Sequence, residues 1–368
     1  MRITAKREKL ADVIGLVGQA VASKSTKKVF ECLRLVARKG ALEVAGTDLE
    51  VAVRCRLAED LDVREEGEAV VPAALLANLL REVADERISL AAAKQKLVLE
   101  TDGGFFELEC VDPAEYPEIP AFPSAAAWTV AAADLQSLVR KTTFAAGREA
   151  ARFVLNGVRL LADGASLRFV ATDGRRLATV ARPLVRKNGT EGRPVSAIVG
   201  VKGLQHFERL AAASGEAVEF AIADRFVAVR TKDAEVVSRV MEGTFPDHEQ
   251  IIPKDTPSEA KVGVPPFASK LRQARQFTSQ ETQSVALRFR AGELAIAASG
   301  GDGRAEVRLG VEYDGPEERI GFNPGFLLDA LKVVEGEQVT FSFKNASSAA
   351  KLSDEGGLVY VIMPVLLE

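Results

Sequence analysis

The sequence predicts an α+β protein of three similar domains, each with helices packed against one face of an antiparallel sheet. The first observation behind that prediction is repetition, because one arrangement of helix, turn and strand recurs three times about 125 residues apart. The second is a switch inside each copy between leucines at helical spacing and alternating apolar and polar residues bounded by turn dipeptides. A length of 368 residues also exceeds one compact core and suits two or three domains of about 100–150 residues.

Each copy opens with an amphipathic helix, "KREKLADVIGLVGQAV", "AAADLQSLVRKTTFAAG" and "PPFASKLRQARQFTS". A strand, turn and strand follow, "ALEVAGTDLEVAVRCRL", "SLRFVATDGRRLATVARPL" and "ELAIAASGGDGRAEVRLGVEY". A second helix and a strand come next, "VPAALLANLLREVADERISL", "VGVKGLQHFERLAAASGEAVEFAI" and "FNPGFLLDALKVVEGEQVTFSF". Pro72, Pro265 and Pro324 stand where a first helical turn tolerates proline. The pairs Asp102-Gly103, Asp163-Gly164, Asp173-Gly174, Asp302-Gly303 and Asp314-Gly315 are read as tight hairpin turns with positive backbone angles. Proline-bearing segments at 116–123 and 251–257 are read as linkers, giving domains over 1–122, 128–252 and 253–368.

Composition excludes several functions. Apolar residues make up 47% of the chain, which suits a globular protein, yet no run reaches the length of a membrane span. The start, "MRITAKREKLAD", lacks the apolar core of a signal peptide, so a cytoplasmic location and no membrane partner are expected. Cys32, Cys55 and Cys110 have no metal-ligand spacing and are read as buried thiols. His206 and His248 lie in no metal motif and beside no nucleophile, and no phosphate-cradling loop or dinucleotide fingerprint occurs. Neither cofactor nor metal is expected.

One enzymatic reading is left, a hydrolase using the turn aspartates Asp48 and Asp173. They occupy equivalent places in different repeats, whereas a general acid and base must converge on one reacting atom. No catalytic residue is therefore assigned. The charge points elsewhere: the net value of −4 conceals a basic excess on the predicted helices and just past their ends, including Arg7, Lys24, Arg140, Lys141, Arg148, Arg152 and Lys202. If those helices face one way, they make a basic surface suited to a phosphate backbone without base reading.

Six landmarks in order carry a resemblance: "GTDLE" (46–50), "LNG" (155–157), "VATDGRRLA" (170–178), "GTFPD" (243–247), "IGFNPGFLLDAL" (320–331) and "YVIMPVLLE" (360–368). With them the whole chain resembles the β sliding clamp family, the β subunits of bacterial DNA polymerase III. The resemblance implies the DNA clamp fold, with helices lining the inside and antiparallel sheets outside, closed into a ring as a head-to-tail homodimer. It implies a non-enzymatic processivity factor that encircles duplex DNA and tethers DNA polymerase, clamp loader and repair proteins through short linear motifs. A divergent paralogue serving repair or a specialised partner is the alternative.

Carried over position by position, the partner pocket would comprise Leu155, Thr172, Gly174, Arg175, Arg176, Leu177, Pro246, Ile251, Val361, Ile362, Met363 and Pro364. The residues support it independently, since an exposed "VIMPVLL" needs packing or a ligand, and methionine is an adaptable lining. DNA contacts would fall on Lys24, Arg148, Glu149, Arg152, Phe153 and Lys202, with Arg7, Arg140 and Lys141 from the basic set. The dimer seam would set Phe106 and Leu108 against a helix carrying Gln276 and Phe277. Arg175 stands where the family usually has histidine, Glu249 and Gln250 where bases are common, and Glu149 where a neutral amide is familiar.

Overall fold

The computed structural model describes residues 1–124, 127–186, 194–279, 283–301 and 303–367, with backbone alone for 150–152. Six α-helices lie among them: α1 (Arg7–Gly18), α2 (Ala73–Glu82), α3 (Ala132–Thr143), α4 (Val201–Ser214), α5 (Val264–Arg275) and α6 (Pro324–Leu331). They open and continue the three repeats as the leucine spacing predicts. Pro265 and Pro324 sit in first turns, while Pro72 stands one step earlier, at the N-cap of α2. Asn323 caps α6, its side chain accepting the backbone N–H groups of Gly325 and Phe326.

The chain folds into two compact units, one built mainly from Met1–Ala133 and Lys202–Val240, the other from Asp134–Leu184 and Met241–Glu368. Each contains two antiparallel sheets. In the first unit a five-stranded sheet runs in the order Leu61–Glu65, Arg2–Lys6, Arg87–Ala93, Lys96–Thr101, Gly104–Glu109. Its nine-stranded companion runs Val185–Arg186, Ala127–Ala131, Ala217–Ile222, Phe226–Arg230, Ala234–Arg239, Val51–Leu57, Ala41–Thr47, Cys32–Arg38, Gly67–Pro72. The second unit has an eight-stranded sheet, Val195–Gly200, Gly157–Ala162, Ser166–Thr172, Arg176–Pro183, Val359–Ile362, Ala350–Ser353, Gln338–Phe343, Ser258–Gly263. Beside it lies a four-stranded sheet, Gly303–Gly310, Glu293–Gly300, Val285–Arg290, Glu318–Phe322.

The central repeat is thus divided between the units by strand pairing. Ala234–Arg239 pairs with Val51–Leu57 of the first repeat, placing Glu235 opposite Arg54. Arg176–Pro183 pairs with Val359–Ile362 of the third, placing Arg176 opposite Ile362 and Leu177 opposite Val361. Backbone hydrogen bonds cross the repeat boundaries, so each unit straddles one.

The segment expected to be a linker at 116–123 is packed down. Tyr116 donates its hydroxyl to the Ala45 carbonyl at 3.0 Å, and Arg54 reaches the Ile119 carbonyl. Phe122 is buried among Ala127, Ala221, Ala228 and Val237, under the Arg230 guanidinium 4.1 Å from its ring centroid. Cys32 and Cys55 are buried as expected; Cys110 is half-buried, and burial pushes all three thiols up to about 11. Of the expected hairpin glycines, Gly164, Gly174 and Gly303 have positive φ, 92°, 87° and 144°, whereas beside Asp102-Gly103 the positive angle falls one residue later, at Gly104. Gly315 lacks it and lies instead against the Tyr313 ring. Asp302 is outside the described residues.

Candidate functional site

The turn 172–176 organises the site. Asp173 Oδ1 accepts the N–H groups of Arg175 and Arg176 at 2.9 and 3.0 Å, and Thr172 Oγ1 accepts that of Gly174 while donating to the Arg176 carbonyl. Thr172 Oγ1 and Asp173 Oδ1 are thereby committed to the backbone of the turn. Arg176 leaves it largely buried, with each guanidinium nitrogen bonded: Nε donates to Asp173 and Nη1 to Asp329 of α6, both at 3.0 Å, and Nη2 to the Phe144 carbonyl at 2.7 Å. Its guanidinium also stacks 4.4 Å from the Phe326 ring centroid.

The electrostatics match this geometry. Burial opposes the charge on Arg176, but Tyr360, Asp329 and Asp173 outweigh it and raise its pKa. Burial likewise opposes ionisation of Asp329, yet Arg176 and Lys332 hold its carboxyl below the usual value. Tyr360 is kept protonated by burial and donates to the Phe326 carbonyl at 3.0 Å. Arg176 is consequently a brace between the turn and α6.

A cleft of about 290 Å³ opens beside the brace, lined by Ala146–Glu149, Leu155, Asn156, Asp173, Arg175, Arg176, Phe326 and Asp329. Under the same turn, Leu155, Val170, Leu177, Ile198, Phe245 and Val361 form one buried apolar cluster, with Val154, Met241, Ile252 and Ala349 packed against it. Met363 is 45% exposed. Its N–H donates to the Arg175 carbonyl at 2.9 Å, and two residues on Val365 donates to the Gly321 carbonyl at 2.8 Å. The chain end is thereby stitched to the turn on one side and to the Glu318–Phe322 strand on the other.

Several of the residues assigned to the pocket take a different part from the one expected. Leu177, Val361 and Ile362 are fully buried, because their strands lie inside the eight-stranded sheet and are covered on both faces. They support the site as core and present no surface. Thr172 is buried with its hydroxyl committed to the turn, and Gly174 supplies the positive φ there. Arg175, Pro246, Ile251 and Met363 are exposed and Pro364 is half-buried; Ile252, not Ile251, packs on the cluster. Phe326, Asp329 and Asn156 were missed. The "NPG" helix start at 323 was the available signal for the first two, since it fixes which α6 residues face back.

The basic residues also separate. Lys141 is buried, because its spacing from Leu138 and Thr142 puts it on the inner face of α3. Its ammonium binds Asp354 at 2.9 Å, Glu335 at 3.2 Å and the Gly356 carbonyl, which removes it from any DNA surface. Lys202 is half-buried and ion-paired with Asp48, and Arg7 donates to the Leu80 carbonyl at 3.0 Å. Lys24 and Arg140 are exposed, as are Arg148, Glu149 and Phe153; Arg148 and Glu149 line the cleft. The side chain of Arg152 lies outside the described residues.

At the expected seam, Gly104–Glu109 and Gly303–Gly310 are edge strands of their sheets. Phe106 is exposed, but Leu108 is buried opposite Leu97, and the outward aromatic partner is Phe105, 70% exposed. Gln276 and Phe277 are exposed just past the end of α5.

Asp48 repeats the chemistry of Asp173 in the other unit. Its Oδ1 accepts the N–H groups of Glu50 and Val51, and Oδ2 meets Lys202. Both aspartates close hairpins, which removes the hydrolase reading. Two capped turns, one beside a cleft and a bared methionine, define a binding scaffold of the three-domain DNA clamp fold.

Comparison with known proteins gives the family. The models of the N-terminal, central and C-terminal domains of the DNA polymerase III beta subunit match residues 1–120, 129–247 and 249–366. Beta sliding clamps of Pseudomonas aeruginosa and Escherichia coli are 30% and 26% identical, each aligned over 100% of both chains. The crystal structure of the Pseudomonas aeruginosa clamp bound to griselimycin has a TM-score of 0.94 at 28% identity, covering 100% of both chains. The chain belongs to the DNA polymerase III beta subunit family, the non-enzymatic processivity clamps. No helix among the described residues is long and apolar enough to cross a membrane.

Proposed function

We propose that two copies of this chain join head to tail into a ring around duplex DNA, and that the cleft beside Met363 docks short linear motifs of DNA polymerase, clamp loader and repair proteins. The three domains are taken to span 1–122, 128–252 and 253–368. The observation that carries the docking half is Met363, an exposed flexible apolar side chain whose backbone is fixed to the turn above a closed apolar cluster. Such a residue gives a partner adaptable contact area without loss of backbone order. Lys24, Arg140 and Arg148 are the cations best placed for phosphates, being exposed. Phe105, Phe106 and Phe277 are the exposed aromatics for the seam. The site of action is the cytoplasm, where bacterial DNA is copied.

Purified protein loaded on nicked circular DNA should remain bound through a high-salt wash and slide off once the circle is linearised. Equal loss from both would refute encirclement. Phe106→Arg should yield monomers in sedimentation, and a persistent dimer would place the seam elsewhere.

A further inference from the structure

The edge strand Gly303–Gly310 has two unlike faces. Ala305, Val307 and Leu309 turn inward, and Phe277 lies on the same side, its ring 3.6 Å from where a Cβ on Gly303 would stand. Arg304, Glu306 and Arg308 turn outward, opposite Ser299, Ala297 and Ala295. Beside them the outward face is hollow. A trough of about 720 Å³ runs over Ala286 and Ala297, walled by Arg304, Arg319 and the chain-end Leu366, itself 90% exposed. Glu306 is paired with Arg308, whereas the Arg304 side chain has no hydrogen bond or ion pair among the described residues.

The other edge strand, Gly104–Glu109, is divided in the same way. Phe106 and Leu108 pair with the buried Leu99 and Leu97 and turn inward, while Phe105 and Glu107, opposite Glu100 and Val98, turn outward. Most of the Phe105 ring is left in solvent. When strands of two copies join edge to edge, about 4.8 Å apart, like faces adjoin, because a flipped strand would put Phe106 and Leu108 into water. We propose that the trough beside Gly303–Gly310 receives Phe105 of a second copy, its ring stacked on the Arg304 guanidinium. The inference rests on the head-to-tail ring given above, and it adds an outward anchor to the inward one of Phe106 and Phe277. An aromatic face attracts a guanidinium that has no other partner, and the contact takes apolar area of both copies out of water. Charge agrees, since Glu107 and Glu109 carry carboxylates outward on the strand that approaches Arg304 and Arg308.

Sedimentation of the full chain over a dilution series reads the dimer Kd. Phe105→Ala should raise it about tenfold and Arg304→Gln about threefold. Both side chains are exposed in the single copy, so neither substitution disturbs the fold. The double variant should be no weaker than Phe105→Ala alone, as expected of two groups that act on each other. Unchanged dimerisation of either single variant, or two losses that simply multiply in the double variant, overturns the stacked pair; the ring then stands without it if Phe106→Arg still yields monomers. A dimer indifferent to all of these substitutions, Phe106→Arg included, removes the seam and this inference together.

Discussion

The two turns at 47–51 and 172–176 are the same device placed at two repeat boundaries, yet it is the second that stands beside the cleft proposed to dock partners. In each, a threonine hydroxyl and an aspartate Oδ1 close the turn, and the residue after the aspartate has positive φ, 77° at Leu49 and 87° at Gly174. In each, the carbonyl two residues past the aspartate is bonded to the incoming strand, Glu50 to the Arg239 N–H and Arg175 to the Met363 N–H, both at 2.9 Å. What differs is the side chains: Leu49, Glu50 and Arg239 on one, Gly174, Arg175 and Met363 on the other. The glycine leaves the crest of the second turn bare, and methionine replaces a charged residue at the rim. On the proposed function, a docking site arises from a structural joint with its backbone unchanged.

The joints also differ in how they are secured. The first is sealed by apolar packing of the 116–123 segment over its sheet, with Arg54 paired to Glu235 across the strands. The second relies on buried charge, with Lys141 and Asp354 both inaccessible to solvent. Asp354→Ala leaves the buried Lys141 ammonium with only the solvent-exposed Glu335 carboxylate and the Gly356 carbonyl, and frees the Glu335 and Leu358 N–H groups that Asp354 accepts, so it should lower stability by about 3–5 kcal/mol in urea denaturation. A loss under 1 kcal/mol, about the worth of an exposed pair, would show that the charge is not what secures this joint.

The most direct break of the comparison exchanges side chains at the rim. Met363→Asp should weaken motif-peptide binding at least about tenfold, whereas Arg239→Asp at the twin position should leave it unchanged in the same titration. Equal effects would mean that the turns do not differ in function. A smaller effect sharpens it: Asp173→Ala should cost about 2 kcal/mol, because it frees two turn N–H groups and one contact of a buried arginine. Asp48→Ala should cost about 1 kcal/mol, its cation Lys202 being half in solvent. Thermal denaturation of the pair would settle the order.

The smallest expected effect concerns pH and only the first unit. His206 is buried on α4, and burial, with Arg209 and Lys202 nearby and Asp48 opposing, depresses its pKa to about 4 from 6.5. Between those values the unfolded chain binds a proton that the folded chain does not. Stability from this group is therefore complete above 6.5 and falls as pH drops toward about 4. A His206→Phe variant should show a shallower decline of melting temperature over that range, and a parallel decline would assign the acid sensitivity to other groups.

Much of this was legible in the chain. The repeat, the six helices and the turn at Asp173 follow from leucine spacing and turn dipeptides, and the family motifs drew attention to the segments around that turn and the chain end, which the structure brings together. The partner strands were not legible, since alternation fixes which face a residue takes but not which edge finds which neighbour. Leu177, Val361 and Ile362 entered the expected pocket through the family resemblance alone, which carries positions but not exposure, and their strands are interior to the eight-stranded sheet, where all three are buried. Lys141 misled for a related reason. Its carboxylate partner Asp354 is 213 residues away, beyond any local pattern.

The bond from Val365 to Gly321 has a consequence at some remove from the cleft. A Cβ at position 321 would stand 2.3 Å from the Val365 carbonyl oxygen and 2.8 Å from Leu367, so no side chain fits while the terminal residues lie where they do. Even a methyl group there would lift the last stretch off the Glu318–Phe322 strand and shift Met363, two residues before Val365. If Met363 docks partners as proposed, their binding can be loosened from a position on the far side of the chain end.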